Sequence, residues 1–584
     1  MFIFPIGAST LFWVGVCMAA LLYRYIYENG ISSIGLGSHR IKVPGPPGLP
    51  FVGNLLDLRK GHARTLGRWT KKYGGIFRIA VGTREAVMLS SHKAVSETLV
   101  QKGQAFASRP EFKLWHGVFL KAIEDDAPST IGTSPMDNRI NVFRRHLTAQ
   151  TASVRARRYN HFISRRLFRY INLLAQTAKS SKAEDLGFHM WTTTTGLSTE
   201  MLFGAPCDET IIRKISEVEL LVFRQRSLGQ PIHDYVPAVG LYEKFLIATA
   251  TPLDPIYRVL GLAEKIRSFN SAEEKAKVLR DIEAAYCKDL GRELHERCEQ
   301  GDIMPSQLGD LIRVYGMQLT PKDEFRIATS LVGSGMGIGT LMSWLAPKLA
   351  SSPDIQEKAY DAIKAVYGNE VPDPYETDRV EYIKALGLEL GRFYASARLG
   401  FSRETLGDVE INGYKIPAGT FIILNSYSIN HDPERYDEPE EFAPERWMDG
   451  HYGRLDGKEA KLGVPHVNHG AGRRGCVGVP YVNKIIYATI LMLCYHFRLE
   501  RGALDADGMS KVFPSFRQIR EMSHEVDAIG DQCSELDPQA IPLAAGIKLT
   551  PRDPDSLARW LEDAPSTLDQ FDEPDLSVKA AGET

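Results

Sequence analysis

Apolar and polar positions along this chain follow two rhythms. Ile76–Ala80 and Ala86–Leu89 are short apolar runs joined through Val81-Gly82-Thr83-Arg84-Glu85, which predicts a β-hairpin. A second small strand region is expected over Val409–Pro417 and Phe421–Leu424, with Asn412-Gly413 as its turn. Helical spacing predominates elsewhere, over residues 138–158, 159–182, 274–299, 322–350, 353–367 and 380–396. Ile485–Cys494 is an apolar run of ten residues, too short to cross a bilayer and suited to a buried core helix. No internal repeat is apparent. The pattern predicts a mainly α fold with a smaller β region.

The two ends differ from this body. Met1–Tyr23 carries no charged side chain, and about 20 apolar residues suffice to cross a hydrocarbon core of ~30 Å. A cleaved signal peptide is the competing reading, but the run is long and no basic segment precedes it. Arg24, Arg40 and Lys42 follow the span, so the positive-inside rule places the body in the cytosol. Val43-Pro44-Gly45-Pro46-Pro47-Gly48-Leu49-Pro50 cannot continue a helix and reads as a rigid spacer. After Pro551 there are nine Asp/Glu against three Lys/Arg, the composition of a solvated, disordered tail. The expected organisation is a transmembrane anchor (1–23), a basic and Pro-rich hinge (24–50), a catalytic domain (51–551) and an acidic tail (552–584).

Charge and cysteine content narrow the function. Lys plus Arg is 70 against 72 Asp plus Glu, a net charge of −2, which excludes a general nucleic-acid binder. Hydrophobic residues at 43% and charged residues at 24% exclude wholesale disorder and a polytopic membrane protein. Seven scattered cysteines include no CxxC, so neither a disulfide framework nor a structural zinc site is expected.

The candidate chemistry lies in His469-Gly470-Ala471-Gly472-Arg473-Arg474-Gly475-Cys476-Val477-Gly478, just before the apolar helix. Gly470-x-Gly472-x-x-Gly475 formally matches a dinucleotide fingerprint, but Gly463–Asn468 contains a proline and no strand-like run. A cysteine on a glycine-rich loop at a helix N-terminus is the better reading, because free N–H groups there favour thiolate. Arg474 is placed to reach a carboxylate of a bound group. Glu389-Leu390-Gly391-Arg392 sets a carboxylate and a guanidinium on one helix face, and Pro444-Glu445-Arg446-Trp447 supplies a second arginine.

The proline hinge, ExxR, PERW and GxRxCxG, in this order over residues 44–551, resemble the cytochrome P-450 superfamily of haem-thiolate monooxygenases. The resemblance implies a cytochrome P-450 fold, haem b with Cys476 as axial ligand, and Gly472 among the cofactor-binding residues. Arg474, Arg403 and Arg144 resemble haem-propionate partners, and Glu389, Arg392 and Arg446 resemble the structural ion triad. It further implies electrons from NADPH through a cytochrome P-450 reductase, with Arg473 as a candidate docking contact, and a single-pass protein of the endoplasmic reticulum membrane. His62-Ala63-Arg64, Ser108-Arg109-Pro110-x-Phe112, Thr130–Pro135, Asp234-Tyr235-x-Pro237 and Pro353–Gln356 are similar to the fungal phenylacetate hydroxylase group.

Two departures stand out. His469 occupies a position where the superfamily has an aromatic side chain over the thiolate. In the central helix, Met336 and Gly337 fall where an acid and a threonine normally hand protons to oxygen at the haem. Gly335, Met336, Gly337 and Thr340 are therefore the candidate oxygen or substrate side, with Ser334 or Thr340 as a displaced hydroxyl and the glycines as space beside the iron. Substrate contacts are expected from residues 108–120, 218–236, 330–340 and 395–401, which include His116 and His233. The implied function is oxidation of an aromatic or aromatic amino-acid-derived small molecule in fungal secondary metabolism. The alternatives are catabolic phenylacetate-type hydroxylation, or coupling, cyclisation or dehydration at an atypical site.

Overall fold

The computed structural model describes residues 41–58, 62–112, 115–119, 130–151, 155–224, 235–236, 272–302, 304–377, 379–448, 464–504, 540–542 and 544–564. The expected anchor at 1–23 and the first part of the expected hinge lie outside these residues. Among the described residues no helix is long and apolar enough to cross a membrane.

Helices of seven residues or more run as α1 His62–Tyr73, α2 Asn138–Thr151, α3 Asn160–Ser180, α4 Leu186–Phe203, α5 Glu209–Arg224, α6 Ala272–Glu299 and α7 Gln307–Arg313. They continue as α8 Pro321–Met342, α9 Leu345–Ser351, α10 Pro353–Tyr367, α11 Glu381–Tyr394, α12 Val479–His496 and α13 Pro554–Asp563. The strands are β1 Ile76–Val81, β2 Arg84–Leu89, β3 Glu184–Asp185, β4 Arg403–Glu404, β5 Val409–Ile411, β6 Tyr414–Ile416, β7 Phe421–Leu424, β8 Phe497–Gly502 and β9 Gly546–Pro551.

The strands form one sheet in the order β1-β2-β7-β4, a second in the order β3-β9-β8, and the β5-β6 hairpin. β1 and β2 pair antiparallel with Ile76 opposite Leu89, whereas β2 and β7 run parallel with Ala86 opposite Phe421. Asn412 and Gly413 both take positive φ (50° and 78°), as a two-residue hairpin turn requires. The main core is helical, built where α3, α4, α9, α11 and α12 bring their buried faces together.

The expected helix at 322–350 is two helices. Thr320 and Asp323 close a capping box at the start of α8, and Pro321 occupies its first turn. Pro347 has no N–H for the Ser343 carbonyl, and its ring crowds that carbonyl, so the helix breaks and α9 resumes at Leu345. The helix expected over 138–158 likewise stops at Thr151.

Both ends of the described chain depart from expectation. Ile41 and Val43 are buried, and Arg78 N donates to Pro44 O at 2.9 Å. A Cβ on Gly45 would lie 2.0 Å from Arg78 O, so this part of the hinge is seated against β1 and does not stand off as a spacer. The acidic tail begins with a helix: Asp553 caps α13, Leu557 is buried, and Trp560 lies 5.1 Å from the His496 ring and 5.7 Å from Phe168. Acidic composition concealed an apolar stripe at helical spacing, Leu557, Trp560 and Leu561. Residues 565–584 lie outside the described residues.

Candidate functional site

A cavity of about 590 Å³ opens between α4, α8 and the loop before α12. Cys476 lines it, following a single 3-10 turn at Gly472–Arg474 and preceding α12, whose N-cap is Gly478. Cys476 N donates to His469 O at 2.9 Å, which folds the loop back on itself. The side chain is accessible, but the space it faces is this cavity. Burial pushes its thiol pKa up, while the Gly478 N–H and the Arg144 charge pull it down. Gly472 sits at φ +62°, and a Cβ there would lie 1.9 Å from Leu99 O. It therefore lets the loop press against Leu99, and it is not among the residues that line the cavity.

Four guanidiniums converge on the same wall. Arg474 donates to Ala107 O and Ser134 O, both at 3.0 Å, and Arg403 Nη2 donates to Ala471 O at 2.5 Å. Arg144 donates to Gly475 O at 2.8 Å. Arg109 donates to the carbonyls of Phe401 and Ser402. No Asp or Glu is among the described residues that line the cavity. Arg109 Nε, Arg403 Nη1 and Arg474 Nε are buried without a hydrogen-bond partner. Burial and their neighbours depress all but Arg144 strongly: Arg474 to about 9, Arg403 to about 10, Arg109 well below its ordinary value. Buried cations with open donors and no acid among them require an anion. A porphyrin bearing two carboxylates beside a thiolate fits this donor set. Arg109 appeared in the sequence only within a local motif; its burial among the other three is what marks it.

The charged triad sits outside this wall. Arg392 holds Glu389 through two bonds, Nε to Oε2 at 2.8 Å and Nη2 to Oε1 at 2.7 Å. Arg446 Nε and Trp447 Nε1 also donate to Glu389, at 3.1 and 2.8 Å. Glu389 and Arg392 are fully buried.

The central helix is oriented differently from expectation. Ser330, Gly333, Ser334, Gly337, Ile338 and Leu341 of α8 face the cavity, a spacing of three and four residues. Of the four residues expected on the oxygen side, only Gly337 lines it. Cβ atoms on Gly335 and Gly339 would lie 2.6 Å from Thr194 O and 2.6 Å from Thr194 Oγ1, so these glycines admit α4 and do not widen the cavity. Met336 is buried on that far side, where Thr195 Oγ1 approaches its sulfur at 3.4 Å. Thr340 is buried and donates to Met336 O at 2.9 Å.

The histidines are accounted for similarly. His469 lines the cavity beside the His466 ring (5.4 Å), and burial lowers its pKa to about 4, so it is neutral. His116 is buried, and its Nδ1 accepts from Phe112 N at 2.9 Å. His233 lies outside the described residues. Arg473 is exposed at the loop surface.

A family model described as Cytochrome P450 matches residues 43–237 and 338–500. The unmatched interval ends at Gly337, so the Met336-Gly337 departure falls inside it. The chain is 28% identical over 463 residues to a 3-hydroxyphenylacetate 6-hydroxylase of Emericella nidulans, covering 78% of this chain and 82% of that protein. It is 26% identical over 575 residues to a phenylacetate 2-hydroxylase of the same organism, covering 94% and 98%. A ferruginol synthase of Isodon rubescens is 25% identical over 494 residues, covering 82% and 92%.

Proposed function

The chain belongs to the cytochrome P450 family and is a monooxygenase, and from that premise we propose that Cys476 is the haem ligand of a site that oxidises an aromatic small molecule. The family implies haem with a cysteine thiolate and NADPH-derived electrons delivered by a reductase. When bound, that group supplies reductive activation of O2 and transfer of one oxygen atom to substrate. The protein's own residues do the rest. Gly478 N–H and Arg144 favour negative charge at Sγ and so oppose burial, which on balance still raises the thiol pKa. Arg144, Arg403 and Arg474, with Arg109 beside them, would hold the propionates, and Arg144 also ties that wall to the cysteine loop. Phe112, Trp115, Leu197, Met201 and Leu341 exclude water and orient an aromatic ring.

Similarity to two arylacetate hydroxylases supports an aromatic or aromatic amino-acid-derived substrate, in secondary metabolism or in phenylacetate-type catabolism. Met1–Tyr23 supports a single-pass anchor in the endoplasmic reticulum with the site in the cytosol. Gly337 on the cavity face, where a hydroxyl is absent, favours a second reading in which the product is coupled, cyclised or dehydrated.

The single observation that carries the proposal is Cys476 opening into a cavity whose arginines have no acid among the described residues that line it. Reduced protein with CO tests it. The wild type is expected to show a strongly red-shifted Soret band, and Cys476→Ala to lose it. A Cys476→Ala protein with unchanged haem content and absorption would overturn the assignment. Product analysis after turnover with phenylacetate separates hydroxylation from the second reading.

A further inference from the structure

Monooxygenation obeys R–H + O2 + 2e⁻ + 2H⁺ → R–OH + H2O. The reductase supplies the electrons, and two protons must reach the cavity from solvent. Among the described residues lining it there is no carboxyl group. His62 and His469 are both held near pKa 4 by burial, so neither carries a proton at neutral pH. Several hydroxyls on the wall already donate to the backbone: Thr151 to Val477 O (2.9 Å), Ser330 to Arg326 O (2.7 Å) and Ser334 to Leu331 O (2.5 Å).

Ser198 differs. Its neighbours on α4, Thr194 and Thr199, return their hydroxyls to the Met190 and Thr195 carbonyls. Ser198 is 3% exposed, lines the cavity, and its Oγ has no hydrogen-bond partner among the described residues. The missing side chain of Gly335 is what leaves that hydroxyl clear, since a Cβ there would lie 2.8 Å from Oγ.

Behind this wall lies a row of buried polar atoms with open hydrogen-bonding capacity. Gln307, at the first position of α7, also lines the cavity, and its Oε1 is buried without a partner. Gln150 on α2 donates Nε2 to Gln307 O at 3.0 Å, and its own Oε1 is likewise unpartnered. One turn along α7, on the same face as Gln307, Asp310 accepts from Tyr159 Oη at 2.7 Å through Oδ2, whereas Oδ1 has no hydrogen bond. Oδ1 instead lies 3.5 Å from Arg158 and 3.7 Å from Arg313, whose side chains reach the surface. Tyr481, on the cavity wall, donates to Tyr159 O at 3.4 Å, tying the same cluster to the cavity a second time.

An unsatisfied buried polar atom is costly, so three of them on α2 and α7, behind a cavity wall that also carries Ser198, call for a reason. Water bridging them removes the cost and forms a hydrogen-bonded file. We propose that Ser198, Gln307, Gln150 and Asp310 line a proton conduit from the surface to the cavity, with Asp310 as its outer relay. It rests on the monooxygenase reading and names the groups that serve it. Burial raises the Asp310 carboxyl pKa against the opposing pull of Arg158, Tyr159 and Arg313, which suits it to take up and pass on a proton. These are positioning and relay groups acting through water.

The test uses full-length holoenzyme with a cytochrome P450 reductase, measuring NADPH consumed and hydrogen peroxide released, in H2O and D2O, with and without phenylacetate. Gln307→Leu, Asp310→Asn and Ser198→Ala should keep the reduced-CO band. Each should shift electrons from water or product to peroxide by about tenfold and enlarge the D2O effect. Wild-type partitioning and isotope effect in all three would overturn the conduit. If Gln307→Leu fails to fold, Ser198→Ala, which leaves α7 unaltered, decides. A holoenzyme crystal structure gives an independent reading: ordered water on Ser198 Oγ, Gln307 Oε1, Gln150 Oε1 and Asp310 Oδ1 supports it, and a dry contact there refutes it. Absence of the CO band in wild type would instead sink the monooxygenase reading.

Discussion

Replacing Glu389 by glutamine tests whether burial, not contact distance, sets the worth of an ion pair here. Glu389 is fully buried and accepts from Arg392 at 2.7 and 2.8 Å, Arg446 at 3.1 Å, Trp447 at 2.8 Å and Ala443 N at 2.9 Å. Glutamine keeps the volume but removes the charge, and its amide nitrogen can accept nothing. At least one of those donors then loses its acceptor, and two guanidiniums lose their counter-charge. Breaking a buried pair by removing one partner costs about 3–5 kcal/mol, a large part of the ~5–15 kcal/mol that holds a domain folded. The contrasting pair is Lys358–Glu445, also at 2.7 Å, but with side chains 56% and 47% exposed. Solvent screening limits that pair to within about 1 kcal/mol, so Glu445→Gln serves as the control. Chemical unfolding followed by circular dichroism measures both variants. A Glu389→Gln midpoint no lower than that of Glu445→Gln would refute the reasoning.

Three other outcomes are expected. Gly335→Ala drives a methyl to 2.6 Å from Thr194 O and forces α4 and α8 apart, at about 1–3 kcal/mol in a denaturant titration. Trp560→Ala removes the ring packed on His496 and Phe168 and should lower the melting temperature by several degrees, measured by calorimetry. His496 is 2% exposed, and burial lowers its pKa to about 3 from an unfolded value of about 6.5. The unfolded chain therefore binds the extra proton first. The contribution is whole above pH 6.5 and shrinks as pH falls towards 3, by about 2 kcal/mol at pH 5. His496→Phe should flatten that slope in urea titrations at pH 7 and pH 5.

Much of the fold was legible because its signals are local. Pro353–Tyr367 forms a helix with the expected bounds, and Phe421–Leu424 forms the expected strand, because proline starts the one and four consecutive buried apolar residues make the other. Leu186–Phe203 had no such signal. It is buried on nearly every side, and its Thr192-Thr193-Thr194-Thr195 run lacks a one-sided apolar stripe, so periodicity could not find it. Its helical state comes from tertiary contact with α8, Asp185 capping its start and Gly204 its end. The tail helix was hidden for the opposite reason, a charged surface face outweighing three apolar anchors in composition.

The same distinction explains the site. Cys476, Arg474, Arg403 and Arg144 were legible as motif positions, and the fold gathers them on one wall. The glycines of α8 were misleading because a sequence cannot say which helix face meets which neighbour. Residues 335 and 339 are one turn apart and carry the contact with α4, whereas 333 and 337, also one turn apart, carry the cavity. Space at the first pair brings α4 close enough to present Ser198. Space at the second leaves the cavity face of α8 without a side chain at that turn. The loss of a hydroxyl on one helix and the arrival of a hydroxyl from another therefore have one cause, alternating glycines that serve two faces. Reversing them separately distinguishes the roles: Gly335→Ala should disturb α4 packing and Ser198 together, whereas Gly337→Ala should narrow the cavity and leave α4 in place.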